Sequence, residues 1–261
     1  MRVRILAVLL AGCLFSFFSN VQAGSVSVKN YSFEDPYVPP VEPYADPNVT
    51  DWIELDNDSI NSANTGVFVN VTGIANTDGG QLAFLGSQQG NALLQDLEAA
   101  YQVGKSYKLT VGVCVSAQYP PLDPNGLQLA FYYTSQADPN RIDVVSATTS
   151  EPNSFTSTAL EDNSIYLPTV QTDDPWAGKT IGIAIRATGL MGGYWDLDNV
   201  RVTEYPLVPN FTDDTIVNFA DFAAMAADWL YCDDPLTDVT GDGCVNEDDL
   251  LILMESWLDN V

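Results

Sequence analysis

Over residues 24–204 the apolar positions recur at every second residue in short runs. Tyr107, Leu109, Val111, Val113 and Val115 share one face of such a run, as a half-buried strand requires. Leu127, Leu129, Phe131 and Tyr133 repeat the pattern, as do Ile181, Ile183 and Ile185. Turn-forming clusters separate the runs, among them Pro120-Pro121-Leu122-Asp123-Pro124-Asn125-Gly126 and Thr172-Asp173-Asp174-Pro175, where proline and glycine end strand pairing. A helical reading fails on period. Many short alternating strands joined by polar turns predict a mainly β fold, an antiparallel β-sandwich.

The pattern changes after Glu204. Pro206 and Pro209 frame an extended spacer, and beyond it apolar residues follow a helical spacing. Helices are predicted over 219–230 and 247–258, with stripes of Phe222, Met225, Ala226 and Trp229 on the first and Leu250, Leu253, Met254 and Trp257 on the second. Helices this short do not persist alone, so the stripes are expected to pack on each other. The expected plan is a leader (1–23), a sandwich (24–205), a linker (206–209) and a small α-helical unit (210–261).

The leader starts with Arg2 and Arg4, continues through an apolar core, and ends in Val21-Gln22-Ala23. This is the form of a secretory signal peptide cleaved after Ala23. Leu10-Ala11-Gly12-Cys13 offers the alternative of a lipid-bearing Cys13. Either way the mature chain is expected to be secreted or at the cell surface, with no transmembrane segment. Lys and Arg total 9 against 35 Asp and Glu, a field that repels phosphate backbones and attracts cations, so nucleic acid is not an expected partner.

Charge also organises the C-terminal unit. A 28-residue offset matches Thr212 to Thr240, Asp214 to Asp242, Asn218 to Asn246, Asp221 to Asp249 and Trp229-Leu230 to Trp257-Leu258, an internal repeat. In the second copy Asp238, Thr240, Asp242, Asn246 and Asp249 bring oxygen-bearing side chains to loop positions 1, 3, 5, 9 and 12, with Gly243 at 6 and the Cys244 carbonyl at 7. An EF-hand-type loop wraps oxygens around Ca²⁺ from those positions. The first copy places Asn210, Thr212, Asp214, Ile216 (carbonyl), Asn218 and Asp221 there, but has neutral Asn210 at position 1 and Thr215 instead of glycine. It is expected to bind calcium more weakly. The second loop also suits an Asx-rich turn that caps a helix. Cys232 and Cys244 flank the inter-repeat loop, either as a disulfide, which an exported protein keeps, or as free thiols. Cys114, within a strand, reads as a small buried residue.

Two such loop-helix units, without an entering helix and with Asp at position 12, resemble the type I dockerin family across residues 210–258. The resemblance implies calcium-dependent folding and docking to a cohesin-type module. In that family loop positions 10 and 11 help to choose the cohesin; here they are Phe219-Ala220 and Glu247-Asp248, not small hydroxyl residues. The large domain opens with Val28-Lys29-Asn30-Tyr31-Ser32-Phe33-Glu34 and closes with Tyr194-Trp195-Asp196-Leu197-Asp198-Asn199-Val200-Arg201-Val202. This pairing resembles the galactose-binding-like jelly rolls that include many carbohydrate-binding modules. It implies neighbouring first and last strands and a structural calcium, with Glu34 and Asp198 as candidate ligands beside the alternative of two solvated acids.

The chain has no histidine, which removes His-based triads, His-dependent zinc sites and the usual general base. No pair of carboxylates stands out as a glycosidase pair. Trp52, Tyr119, Tyr132 and Trp176 lie in or near expected loops as platforms for a sugar ring or as packing residues. Together these features predict a secreted, non-catalytic module of polysaccharide degradation, with a carbohydrate-binding jelly roll, Ca²⁺ in a dockerin-like domain and a cohesin-type partner. The alternatives are a glycoside hydrolase or polysaccharide lyase using Asp or Glu, and a structural or adhesive surface protein.

Overall fold

A computed structural model describes residues 24–40, 44–45, 48–55, 64–122, 126–135, 141–149, 152–189, 192–206, 209–212, 214, 216–232, 235, 237–240, 243–255 and 257. The leader with Cys13, the linker positions 207–208 and Asp242 lie outside the described residues. Twelve strands are described: β1 (Gly24–Val26), β2 (Tyr44–Ala45), β3 (Ile53–Leu55), β4 (Thr65–Val69), β5 (Gln81–Gly86), β6 (Ala92–Ala100), β7 (Lys105–Val115), β8 (Leu127–Thr134), β9 (Arg141–Thr149), β10 (Glu161–Leu167), β11 (Thr180–Ala187) and β12 (Tyr194–Pro206). One sheet runs β10-β7-β12-β5-β4-β2 with β1 beside β12, and the other runs β3-β6-β11-β8-β9. Every pairing between these strands is antiparallel.

The period-2 pattern explains the two-sheet arrangement. Tyr107, Leu109, Val111, Val113 and Val115 of β7 face Leu127, Leu129, Phe131 and Tyr133 of β8 and Ile181, Ile183 and Ile185 of β11 in one continuous core. Burying these faces against each other is the dominant favourable term. Trp195 is fully buried among them and meets Phe155 edge-on at 5.6 Å.

Strand β12 sits at the centre of its sheet and carries one irregularity. Its register against β7 shifts between Asp198 and Arg201, and Asn199 there adopts a left-handed backbone with φ 53°. This is a β-bulge, and it changes which parity faces the core. Trp195 and Leu197 point inward before it, Val200 and Val202 after it. Val200 N donates to Tyr31 O at 2.9 Å, and β1 pairs with the end of β12 through Val26 and Val202, so the domain's first and last segments lie together.

The C-terminal part supplies two nine-residue helices, α1 (Phe219–Ala227) and α2 (Glu247–Glu255). Both stop short of the predicted ends at 230 and 258. For α1 the reason is local: Leu230 has φ 62°, Leu230 N donates to Val245 O at 2.8 Å, and Val245 N donates to Tyr231 O at 3.0 Å. Backbone groups used in that extended pairing cannot continue a helix. Cys232 and Cys244 form a disulfide beside it. Met225 and Leu253 meet in a small core with Val217, Val239 and Val245, whereas Trp229, predicted on the packed stripe, is 40% exposed. No described helix is long and apolar enough to cross a membrane.

The bulge yields a direct test. Asn tolerates the left-handed region and a β-branched residue does not. Asn199→Val is expected to lower unfolding free energy by about 1–2 kcal/mol, read from urea denaturation midpoints. Asn199→Gly is expected to leave it nearly unchanged.

Candidate active site

Because β12 alternates, Asp196 and Asp198 point away from the core while Trp195 and Leu197 point into it. Both acids are nonetheless buried, Asp196 at 5% exposure and Asp198 at 0%. A second apolar layer covers this outer face: Ile74, Leu82, Cys114 and Leu160 form a cluster with Phe68 packed against it. Asp196 lies across from Cys114 on β7 and Phe84 on β5. Among the described residues no side chain or backbone group hydrogen-bonds its carboxyl, and burial alone pushes it up to about 7. An acid so placed holds its proton near neutral pH, because the charged form has lost water without gaining a partner.

Asp198 is also raised to about 7, first by burial. The N–H groups of Asp78 and Asn199 donate to its two oxygens, each at 2.7 Å, and oppose that rise; the charges of Asp78 and Glu34 add to it. Glu34 is fixed by the N–H groups of Gly80 and Gln81, both at 2.7 Å. The Tyr31 hydroxyl bonds the Asp78 carboxylate, which raises the phenol. The structure therefore brings Glu34 and Asp198 together electrostatically, with Asp78 as a third acid. Burial, then the neighbouring Asp196 and Asp198 charges, push the Cys114 thiol up to about 12, so it stays protonated and is not a nucleophile.

An aromatic wall stands beside Asp196. Tyr194, two residues earlier on the same strand face, meets Phe84 edge-on at 5.7 Å and Tyr119 at 6.5 Å. Tyr119 is 57% exposed. Its segment is tied to β12 by Tyr194 N donating to Tyr119 O at 2.8 Å and Ser116 N donating to Tyr194 O at 3.0 Å. Gly193, with φ 92°, packs directly against the Pro120 carbonyl, where a side chain has no room. The combination is a proton-bearing carboxyl in apolar surroundings with aromatic side chains beside it, suited to protonating an apolar substrate and sheltering positive charge.

The expected sugar platforms do not converge on one site. Trp52 is buried and its indole N–H donates to Asn30 O at 3.2 Å; Tyr132 is buried on the opposite sheet, its hydroxyl donating to Asp96 at 2.7 Å; Trp176 packs against the main core. In the C-terminal loops, Asp221 accepts from Thr212 N and Thr212 Oγ1, both at 3.0 Å, and from Asn218 N at 2.9 Å. Asp249 repeats this with Thr240 N and Oγ1 at 2.9 and 3.0 Å and Asn246 N at 2.8 Å. Asp214 accepts from Ile216 N at 2.9 Å, and Asp238 from Gly243 N at 2.7 Å. The Cys244 carbonyl accepts from Asn246 Nδ2 at 3.4 Å. The described loop groups thus serve as turns and helix caps, and among the described residues no three Asp, Glu, Cys or His side chains gather as a metal-holding group. Asp196 was not singled out from the sequence; its visible signal was an acid between the apolar core residues Trp195 and Leu197.

The HpiC1 cyclase family model matches residues 24–203, the whole sandwich. Among solved structures, a cyclase from Fischerella sp. TAU superposes with a TM-score of 0.56 at 22% identity, covering 71% of this chain and 98% of that one. A Stig cyclase from the same organism, in complex with (3Z)-3-(1-methyl-2-pyrrolidinylidene)-3H-indole, gives 0.56 at 22%, covering 71% and 99%. A Fischerella sp. TAU cyclase in complex with 4-(1H-indol-3-yl)butan-2-one gives 0.56 at 22%, covering 70% and 98%. No curated protein matches the chain.

These matches correct the functional reading drawn from sequence. The type I dockerin resemblance is not upheld: the matched family is a cyclase, and the sheet-rich fold adds only two short helices among the described residues. What resembled a dockerin was the spacing of Asx and Thr residues, which here closes turns and caps helices. The galactose-binding-like carbohydrate-binding reading falls with it, since its two framing motifs belong to a segment matched as cyclase and its aromatics are scattered or buried. A non-catalytic module of polysaccharide degradation, and its glycosidase, lyase and adhesive alternatives, give way to a cyclase assignment. The chain belongs to the HpiC1-like cyclase family, through the sandwich of residues 24–203.

Proposed function

We propose that the sandwich catalyses an acid-promoted cyclisation on the outer face of the β12 sheet, with Asp196 as proton donor. The observation that carries this reading is the buried Asp196 carboxyl, raised to about 7 by desolvation and without a hydrogen-bond partner among the described residues. In the proposed step the Asp196 proton passes to an electron-rich double bond of the substrate, leaving a carboxylate and a carbocation. An internal π bond attacks that cation and closes the ring, and a proton leaving the new cation returns to the carboxylate, so atoms and charge balance. Phe84, Tyr194 and Tyr119 would face the cation with their π clouds. The layer of Ile74, Leu82 and Leu160 would limit the water that quenches it. The substrate class proposed is an electron-rich aromatic, such as an indole, with a pendant alkene. Its support is the aromatic wall together with the indole ligands of two related cyclase structures.

A general acid works while protonated, so kcat/KM is expected to be flat below about pH 7 and to fall roughly tenfold per pH unit above it. Asp196→Asn is expected to cut turnover by roughly 10²–10⁴-fold while still binding 4-(1H-indol-3-yl)butan-2-one, measured by calorimetry beside a turnover assay. Full activity in Asp196→Asn would remove Asp196 from the mechanism.

We also propose Ca²⁺ as a ligand of this chain. Support comes from Asn210, which is 8% exposed, donates through Nδ2 to Asp214 O at 2.5 Å, and leaves Oδ1 buried without a partner. A cation would satisfy that oxygen. Export through residues 1–23 is proposed as well, supported by the leader pattern and the Cys232–Cys244 disulfide. Millimolar CaCl₂ is expected to raise the melting temperature of the full chain by several degrees over EDTA, with a smaller rise in Asn210→Ala. Coincident melting curves would contradict the calcium proposal.

A further inference from the structure

Strand β10 is the edge of its sheet, and an exposed edge presents unpaired backbone groups and a surface for unwanted association. Near its end Tyr166 lies directly across from Lys108 of β7. The Lys108 ammonium sits 4.9 Å from the centroid of the Tyr166 ring. Against this pair rest residues 237–240 and 243–245 of the C-terminal part. Gly243, with φ 97°, lies so close that a methyl group there would come within 2.6 Å of the Tyr166 hydroxyl oxygen. Ser106, the next outward residue of β7, donates its hydroxyl to Val239 O at 3.4 Å in a buried contact. Thr237, Asp238 and Val239 are all at least nine-tenths buried, with exposures of 4%, 1% and 3%.

Charge favours the same contact. Residues 238–249 hold five acidic side chains and no lysine or arginine, while the start of β7 holds Lys105 and Lys108 in a chain with only 9 basic residues. Lys105 is paired with Glu204 at 2.6 Å, and Lys108 stands over the Tyr166 ring at the loop's contact.

We propose that residues 237–240 and 243–245 form an intramolecular clamp seated on the Lys108–Tyr166 end of the β7/β10 pair. The C-terminal part is then fastened to the outer face of the cyclase sheet, not carried on a free tether. This gives Gly243 two reasons to be glycine: the positive φ of its turn and the close approach of Tyr166. The clamp and Asp196 lie on one sheet face, about 20 Å apart measured along β7 from Lys108 to Cys114, the cross-strand partner of Asp196, at the usual strand rise.

Hydrogen exchange of the full chain, followed by mass spectrometry, tests the clamp. Lys108→Glu and Tyr166→Ala are each expected to speed exchange of amides 237–245 at least about tenfold while β8 and β11 keep their protection; 1 M NaCl is expected to act in the same direction. If either substitution also loosens β8 and β11, Tyr166→Phe, which keeps the ring and removes the hydroxyl, decides. Faster exchange confined to 237–245 in Tyr166→Phe supports the clamp. Unchanged exchange of 237–245 in the variants that keep the β8 and β11 protection overturns it.

Discussion

The parity of β12 is the constraint on which the rest of this molecule depends. A central strand of a sandwich must fill the core on one side, and β12 does so with Trp195 and Leu197. The opposite parity then carries Asp196 and Asp198 outward, into a layer already sealed by Ile74, Leu82 and Leu160. One extra residue at the Asn199 bulge restores Val200 and Val202 to the core. The strand thus keeps its packing on both sides of the bulge and still presents two carboxyls where water is scarce.

That placement is costly in stability and useful in chemistry. A carboxyl raised from 3.8 to about 7 by burial favours the folded state less as pH rises through that window. Above about pH 7 the full penalty, on the order of 4 kcal/mol, is present. Below 3.8 it disappears, because folded and unfolded chains are both protonated there. The core formed by β7, β8, β11 and β12 offsets it. The two acids differ in kind despite similar values. Asp198 is held by backbone N–H groups and flanked by Asp78 and Glu34, a structural environment. Asp196 has burial alone and an aromatic neighbour in Tyr194, the environment of a proton donor.

Much of the sandwich was legible in the sequence. Alternation over β7, β8 and β11 placed the right residues inward, because period-2 burial leaves a direct trace in composition. The bulge was not legible: the Asp-Asn-Val run suggested a terminal strand but not the shift in parity that Asn199 introduces. The site was missed for a related reason. The jelly-roll resemblance implies a role for Asp198, whereas Asp196 is distinguished only by its cross-strand neighbours Cys114 and Phe84, which sequence does not show. At the C-terminus the spacing of Asx and Thr residues resembles that of a dockerin. The described groups spend that spacing on capping Asp221 and Asp249, and helix ends depend on Leu230 pairing with Val245, a long-range bond that periodicity does not encode.

The central claim is that Asp196 carries a proton at neutral pH because it is buried without a partner. Carbon-13 NMR of the aspartate side-chain carboxyls across pH 4–9, with Asp196→Asn to assign the resonance, measures this directly. A titration near 7 that disappears in the variant is the predicted result. A midpoint near 3.8, the ordinary value for the side chain, would contradict it.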